Sequence, residues 1–126
     1  MKIIKKLIEP KYRKEGGLWM LDIDKIEVGF EVKQRSIVHI PPGQLGGNHK
    51  HPRTEAFIGI GRELELVWKE NEKLIKEMMN PGGQLVLFTI PPQVEHAVKN
   101  KSEAENGMLI ELADAEQDLV EVCKLI

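Results

Sequence analysis

The sequence predicts an all-β domain built as a sandwich or barrel. Its apolar stretches are short and end at Gly, Pro or paired polar residues. Within them apolar and polar residues alternate, or the run is apolar on both faces. Each feature favours strands over helices, and a chain of short strands buries its apolar faces by packing sheet on sheet.

Taken in order, Lys2–Ile8 forms an edge strand stopped by Pro10, and the charged, glycine-ended stretch Lys11–Gly17 reads as a loop. Leu18–Leu21 is a short apolar strand, followed by a polar turn at Asp22–Lys25. Val32–Ile40 alternates: period-two logic puts Val32, Gln34, Ser36, Val38 and Ile40 inward and Lys33, Arg35, Ile37 and His39 outward. Glu55–Gly61 is the next strand. Glu63–Lys69 and Lys73–Met78 form a hairpin about Glu70–Glu72, and Pro81-Gly82-Gly83 is a turn. Gln84–Ile90 is apolar on both faces, as expected of a central strand. Glu95–Lys99 and Met108–Ala113 follow, and Asp118–Ile126 reads as a strand in preference to a short helix, for nine or ten strands in all.

The 126 residues, 41% hydrophobic and 30% charged, are long enough for one domain with its own core, so the chain reads as a single domain over 1–126. A net charge of -2 with both signs interspersed offers no basic stripe for nucleic acid. The amino-terminal stretch has no long apolar core or small-residue cleavage site, and no run is long enough to span a membrane. The single cysteine, Cys123, cannot close an internal disulfide, and the chain reads as cytoplasmic.

Candidate chemistry gathers in two segments. Gly43–Gly61 carries His49 and His51 one residue apart, with Glu55 four further on; Pro91–Asn100 carries His96. Residues two apart on a strand face the same side, so His49 and His51 can both project inward, and Glu55 shares their parity. His96 follows the rigid Pro91-Pro92 and shares parity with the apolar Val98, so it also points in. Three imidazoles and a carboxylate make a first shell for a divalent transition metal. The alternative is a set of pocket groups bonded to one another and to water, although four buried titratable groups without a counter-ion are costly. His39, by its parity, points out.

These residues resemble the two cupin motifs. Gly43, His49, His51 and Glu55 match Gly-x5-His-x-His-x3-Glu; Pro91, His96 and Asn100 match Pro-x-Gly-x2-His-x3-Asn, with Gln93 where the family has glycine. The closing glycine of the first motif falls early, at Gly61 or Gly59, and Leu85 takes the place of the second motif's opening glycine. The resemblance implies a jelly-roll barrel and a metal held by His49, His51, Glu55 and His96, with Mn, Fe, Co, Ni and Zn all compatible with such ligands. A looser likeness, carried by Glu15-Gly16-Gly17-Leu18, Phe30 to Arg35 and Gly47-Asn48-His49-Lys50-His51, is to nucleotide-sugar-modifying cupins: dTDP-sugar 3,5-epimerases, 3,4-ketoisomerases and capsular polysaccharide cupins. Gly46 stands where those enzymes often carry arginine. The only tyrosine, Tyr12, lies far from the motifs, which argues against a 3,5-epimerase.

The resulting expectation is a metal-binding protein acting as an isomerase or epimerase on a sugar or sugar derivative, with the metal as a Lewis acid. No further inward histidine or carboxylate is evident, so Glu55 is also the candidate base. The same site with iron could serve a dioxygenase, and without turnover it could serve a sugar-binding module. Gln34 and Ser36 either bond neighbouring backbone or line the substrate pocket. Trp68 and Trp19 read first as core aromatics, with Trp68 a candidate for stacking on a sugar ring. Strand Ala56–Ile60 is apolar on both faces, which calls for cover by another element or a second subunit and leads to an expected homodimer.

Overall fold

The computed structural model describes residues 2–116, 121, 122, 125 and 126. Twelve strands are present: β1 (Ile4–Ile8), β2 (Tyr12–Arg13), β3 (Trp19–Met20), β4 (Gln34–Ile40), β5 (Leu45–Lys50), β6 (Glu55–Ile60), β7 (Leu64–Glu70), β8 (Lys73–Met78), β9 (Leu85–Ile90), β10 (His96–Asn100), β11 (Gly107–Ala113) and β12 (Glu121–Val122). The only helical pieces among the described residues are single 3-10 turns at Ile23–Lys25 and Pro81–Gly83. Ten strands build two five-stranded antiparallel sheets, ordered β1-β9-β6-β11-β4 and β12-β5-β10-β7-β8. Cys123 and the stretches 117–120 and 123–124 of the expected last strand lie outside the described residues.

Most of the alternation pattern holds. In β4 the burial alternates as expected, with His39 and Ile37 outside and Ile40 buried. β1 is an edge strand, and β9, apolar on both faces but for Thr89, lies between β1 and β6. The β7–β8 hairpin turns at Asn71 and Glu72, both at positive φ (50° and 65°), as a tight two-residue hairpin loop requires.

One expected loop is a strand. Within 11–17, Tyr12 and Arg13 pair with Met20 and Trp19 as a two-stranded ribbon outside the main sheets. Gly16 and Gly17, at φ 94° and 98°, make its turn. Each arm of this ribbon is only two residues long, too short for an alternation to be read.

Two apolar layers hold the domain. Between the sheets, Phe57, Phe88, Ile90, Leu64, Leu66, Trp68, Val98 and Leu109 form the main core. On the outer face of the first sheet, Ala56, Ile58, Leu85, Leu87 and Leu112 are covered by Trp19, Leu21, Ile23, Ile26, Val28, Phe30 and Val32. The apolar outer face of β6 is therefore roofed by the chain's own amino-terminal third. That face supplies no argument for a second subunit.

Candidate metal centre

A distortion of β5 aims the first two histidines. β5 pairs with β10 in a register that slips between His96 and Ala97: His49 faces His96, but Gly47 faces Ala97, so Asn48 is an extra residue. Asn48 adopts φ 69°, which asparagine tolerates better than most side chains. Gly47 precedes it at φ 102°, and a Cβ there would sit 3.1 Å from Ala97 Cα. His51 follows just past the strand, and Pro52-Arg53-Thr54 carries the chain across to the other sheet, where Glu55 begins β6. His96 opens β10 beside Trp68 of β7. The cluster thus spans both sheets at one end of the main core, with the Phe57 ring edge-on to His96 at 5.5 Å.

Ligand-capable atoms of His49, His51 and His96 lie within 4.8 Å of one another. His49 Nδ1 and His51 Nε2 are 3.3 Å apart. Glu55 Oε1 lies 3.3 Å from His96 Nε2 and 3.6 Å from His51 Nε2. Donor atoms at roughly 2.0–2.1 Å from a shared tetrahedral ion would be separated by about 3.3 Å, so these gaps suit one ion. His96 Nδ1 faces the Val94 carbonyl at 2.9 Å. A carbonyl only accepts, so Nδ1 carries the hydrogen and Nε2 turns a lone pair toward Glu55 and His51. Buried Glu55 Oε1 has no hydrogen-bond donor among the described protein groups. That orphaned acceptor beside three imidazoles fits a cation, and the residues present fit the metal that the motifs imply.

The surroundings favour the neutral forms of His49 and His51. Burial, then the charge of His96, lowers the pKa of His49; burial likewise lowers that of His51, only partly offset by Glu55. For Glu55, burial pushes upward, but contact with the His96 and His51 rings in their protonated form, and the bond from Arg53, outweigh it, so its pKa falls. Neutral imidazoles and an ionised carboxylate are the forms that ligate metals. His51, Glu55 and His96 are buried, and the half-buried His49 marks the approach from solvent.

Two residues of the site escaped the sequence reading. Arg53 is buried and donates to Glu55 Oε2 through Nε (3.1 Å) and Nη2 (2.8 Å). Nη2 also reaches Glu111 Oε1 at 3.0 Å, and Nη1 reaches Ala115 O at 2.8 Å and Gln34 Oε1. Glu111 is the inward carboxylate that was judged missing. It sits on β11 opposite Ser36 of β4, and burial, then the charge of Glu55, raises its pKa. A lone charge in Met108–Ala113 was the available signal, since inward parity with Leu109 places it beneath the sheet. For Arg53 the signal was its spacing of two from Glu55.

The other expected site residues divide. Gln34 and Ser36 do point inward and bond each other (3.1 Å, Nε2 to Oγ), and Gln34 Oε1 accepts from Arg53. Trp68 is 6% exposed within the main core, and its Nε1 finds no acceptor among the described groups. Tyr12 lies on the outer ribbon with Lys14 Nζ 5.6 Å above its ring. Motif residue Asn100 is structural: fully buried, it donates to Ile40 O (2.9 Å) and Glu105 O (2.8 Å) and accepts from Ser102 N (3.0 Å).

No protein-family model and no curated protein sequence matches this chain. Solved structures do. The 3,4-ketoisomerase QdtA from Thermoanaerobacterium thermosaccharolyticum superposes with a TM-score of 0.71 at 18% identity, over 92% of this chain and 82% of that one. The chain has the cupin jelly-roll fold. The same cupin architecture extends to a dTDP sugar isomerase from Desulfovibrio desulfuricans (TM-score 0.72, 17% identity, 95% of this chain and 83% of that one). CapF, a capsular polysaccharide assembling protein from Staphylococcus aureus, is similar over 76% of this chain (TM-score 0.65, 18% identity). The similar stretch spans only 29% of the CapF chain. No helix among the described residues is long and apolar enough to cross a membrane.

Proposed function

We propose that this cupin is a metal-dependent sugar isomerase or epimerase, with His49, His51, His96 and one oxygen of Glu55 holding a divalent Zn, Mn, Fe, Co or Ni ion. The donor geometry carries this reading: ligand-capable atoms of three imidazoles lie within 4.8 Å of one another, and the orphaned Glu55 Oε1 lies 3.3 Å from His96 Nε2 and 3.6 Å from His51 Nε2 at one end of the core. Such an ion supplies Lewis acidity that polarises a substrate carbonyl. The chain's own groups do the rest. His96 is oriented by the Val94 carbonyl, and Glu55 is kept ionised by His96, His51 and Arg53.

Glu55 serves better as a ligand than as the base, because its lowered pKa makes it a weak proton acceptor. Glu111, with its raised pKa, is better matched to proton transfer near neutrality. Gln34, Ser36 and Trp68 are proposed to line the substrate side. The substrate class follows from the likeness to QdtA, of which a histidine-to-asparagine variant was solved with TDP-4-keto-6-deoxyglucose. A nucleotide-linked keto sugar is the proposed substrate, and a cytoplasmic location accords with such a pool. A homodimer is also proposed, now on the exposure of Ile4 and Leu7 along edge strand β1 and of Ile37 on edge strand β4.

The deciding experiment is elemental analysis of protein purified without added metal, followed by turnover of TDP-4-keto-6-deoxyglucose. One equivalent of a transition metal, its loss in His51→Ala and His96→Ala, and isomerised product are expected. Absence of metal sinks the proposal. Iron with oxygen uptake reassigns the site to a dioxygenase, and a thermal shift without product reassigns it to a sugar-binding module.

A further inference from the structure

We infer that Arg53 is a positioning residue that makes Glu55 a one-oxygen ligand. This rests on the metal reading above. The guanidinium engages one Glu55 oxygen with two donors, Nε at 3.1 Å and Nη2 at 2.8 Å, and both go to Oε2. Oε1 is left turned toward His96 and His51, with no donor of its own. A carboxylate held this way cannot swing to present both oxygens to an ion, because Oε2 would have to leave the planar fork.

The fork is itself held from three other directions. Gln34 Oε1, the Ala115 carbonyl and Glu111 Oε1 accept the remaining donors, and these partners belong to β4, to the stretch just after β11, and to β11. Arg53 therefore cannot follow Glu55 if the carboxylate rotates. Lysine could not substitute, since an ammonium is a point charge that lets the carboxylate pivot.

The local charges suggest a clean test. Arg53 and Glu111 are paired at 3.0 Å, so replacing both by glutamine dismantles the fork without leaving either partner buried alone. In the Arg53→Gln/Glu111→Gln protein, Co(II) affinity by chelator competition should fall roughly tenfold or more, as expected when an outer partner of a ligand is removed. The visible Co(II) spectrum at saturation should also change, because Glu55 is freed to bind with both oxygens. Circular dichroism checks that the variant is folded. Arg53→Lys, which keeps charge and most of the volume, is the second variant and should shift the spectrum in the same sense.

A purely structural role for Arg53 would lower thermal stability and leave the Co(II) spectrum of the folded fraction unchanged. Spectra superimposable on wild type, with affinity within about twofold, in either folded variant overturn the inference while the metal site stands. If wild-type protein binds no Co(II), the metal reading and this inference fall together.

Discussion

The backbone N–H of Gln93 donates to the carbonyl of His51 at 2.6 Å, tying together the two segments that carry the site. This bond closes the Pro91–Gln93 turn onto the end of the first histidine segment, immediately before His96 re-enters its sheet. It also forces a conformation. Gln93 sits at φ 66°, in the left-handed region, at the position where the family motif has glycine. The sequence departs from the motif in side chain, and the backbone keeps the motif's shape.

Gln93→Gly should therefore stabilise the protein. Left-handed backbone costs a side-chain-bearing residue about 1–2 kcal/mol, and glycine returns about 0.5–1 kcal/mol of that through its freer unfolded chain. A net gain of about 0.5–1 kcal/mol is expected in urea unfolding, with the bond to His51 retained. Gln93→Val should lose stability, since a β-branched residue fits this region worst. A less stable Gln93→Gly protein would contradict the account.

Asn100 should be intolerant of change. Its side chain satisfies the carbonyls of Ile40 and Glu105 and the N–H of Ser102, joining the ends of β4 and β10 to the loop that follows. Asn100→Ala leaves buried groups without these partners, and a loss of about 2–3 kcal/mol is expected from denaturant midpoints. Asn100→Asp should do no better, because a carboxylate cannot donate to two carbonyls. Neither change touches the ligands, so the folded fraction should still bind metal.

The pH dependence has a definite sign. With metal removed by chelator, His49 and His51 have folded pKa values below the ordinary 6.5, so the unfolded chain takes up protons first as pH falls. Stability should be level above the ordinary imidazole range and decline as pH drops through about 6.5. Glu55 adds a further loss at more acid pH: its folded pKa lies below 4.5, so its contribution is present above 4.5 and disappears as pH falls through the folded value. Midpoints measured from about pH 8 down to about pH 3 test both declines, and His51→Asn should flatten the first. Stability that rises on acidification through 6.5 would refute the assignment.

Trp68 separates two readings of one residue. At 6% exposure within the inter-sheet core, Trp68→Ala should cost about 3–5 kcal/mol through the cavity it leaves. Trp68→Phe keeps most of the packing. If Trp68 also lines the substrate side, Trp68→Phe should weaken binding of a nucleotide-linked sugar severalfold at nearly unchanged stability. Equal affinity in calorimetric titration would return Trp68 to the core alone.

Sedimentation velocity at micromolar concentration tests the proposed homodimer. The exposed Ile4, Leu7 and Ile37 stand on edge strands, where a second copy could add its own strand or cover the side chains. Dimer is expected, and Ile37→Lys or Leu7→Lys should weaken it. A monomer in wild type would remove the proposal.

Much of this molecule is written in local pattern. Alternation in Gln34–Ile40 separates Ile40 from His39, the apolar run Leu85–Ile90 marks an interior strand, and the spacing of His49, His51, Glu55 and His96 names the cluster. Side-chain direction on a strand has a period of two, so it can be counted from residue to residue. What could not be counted depends on elements far apart in the chain. The bulge at Asn48 exists because β5 must pair with β10, about fifty residues on, and the roof over Ala56 and Ile58 comes from residues 19–32. Arg53 looked like part of a turn, and its role appears only when Gln34, Glu111 and Ala115 converge on it from elsewhere in the fold. Spacing along the chain suffices for the all-β class and for naming His49, His51, Glu55 and His96 as candidate ligands. Tertiary structure alone decided which oxygen of Glu55 faces the histidines, because that choice is made by hydrogen bonds across the sheets and not by spacing along a strand.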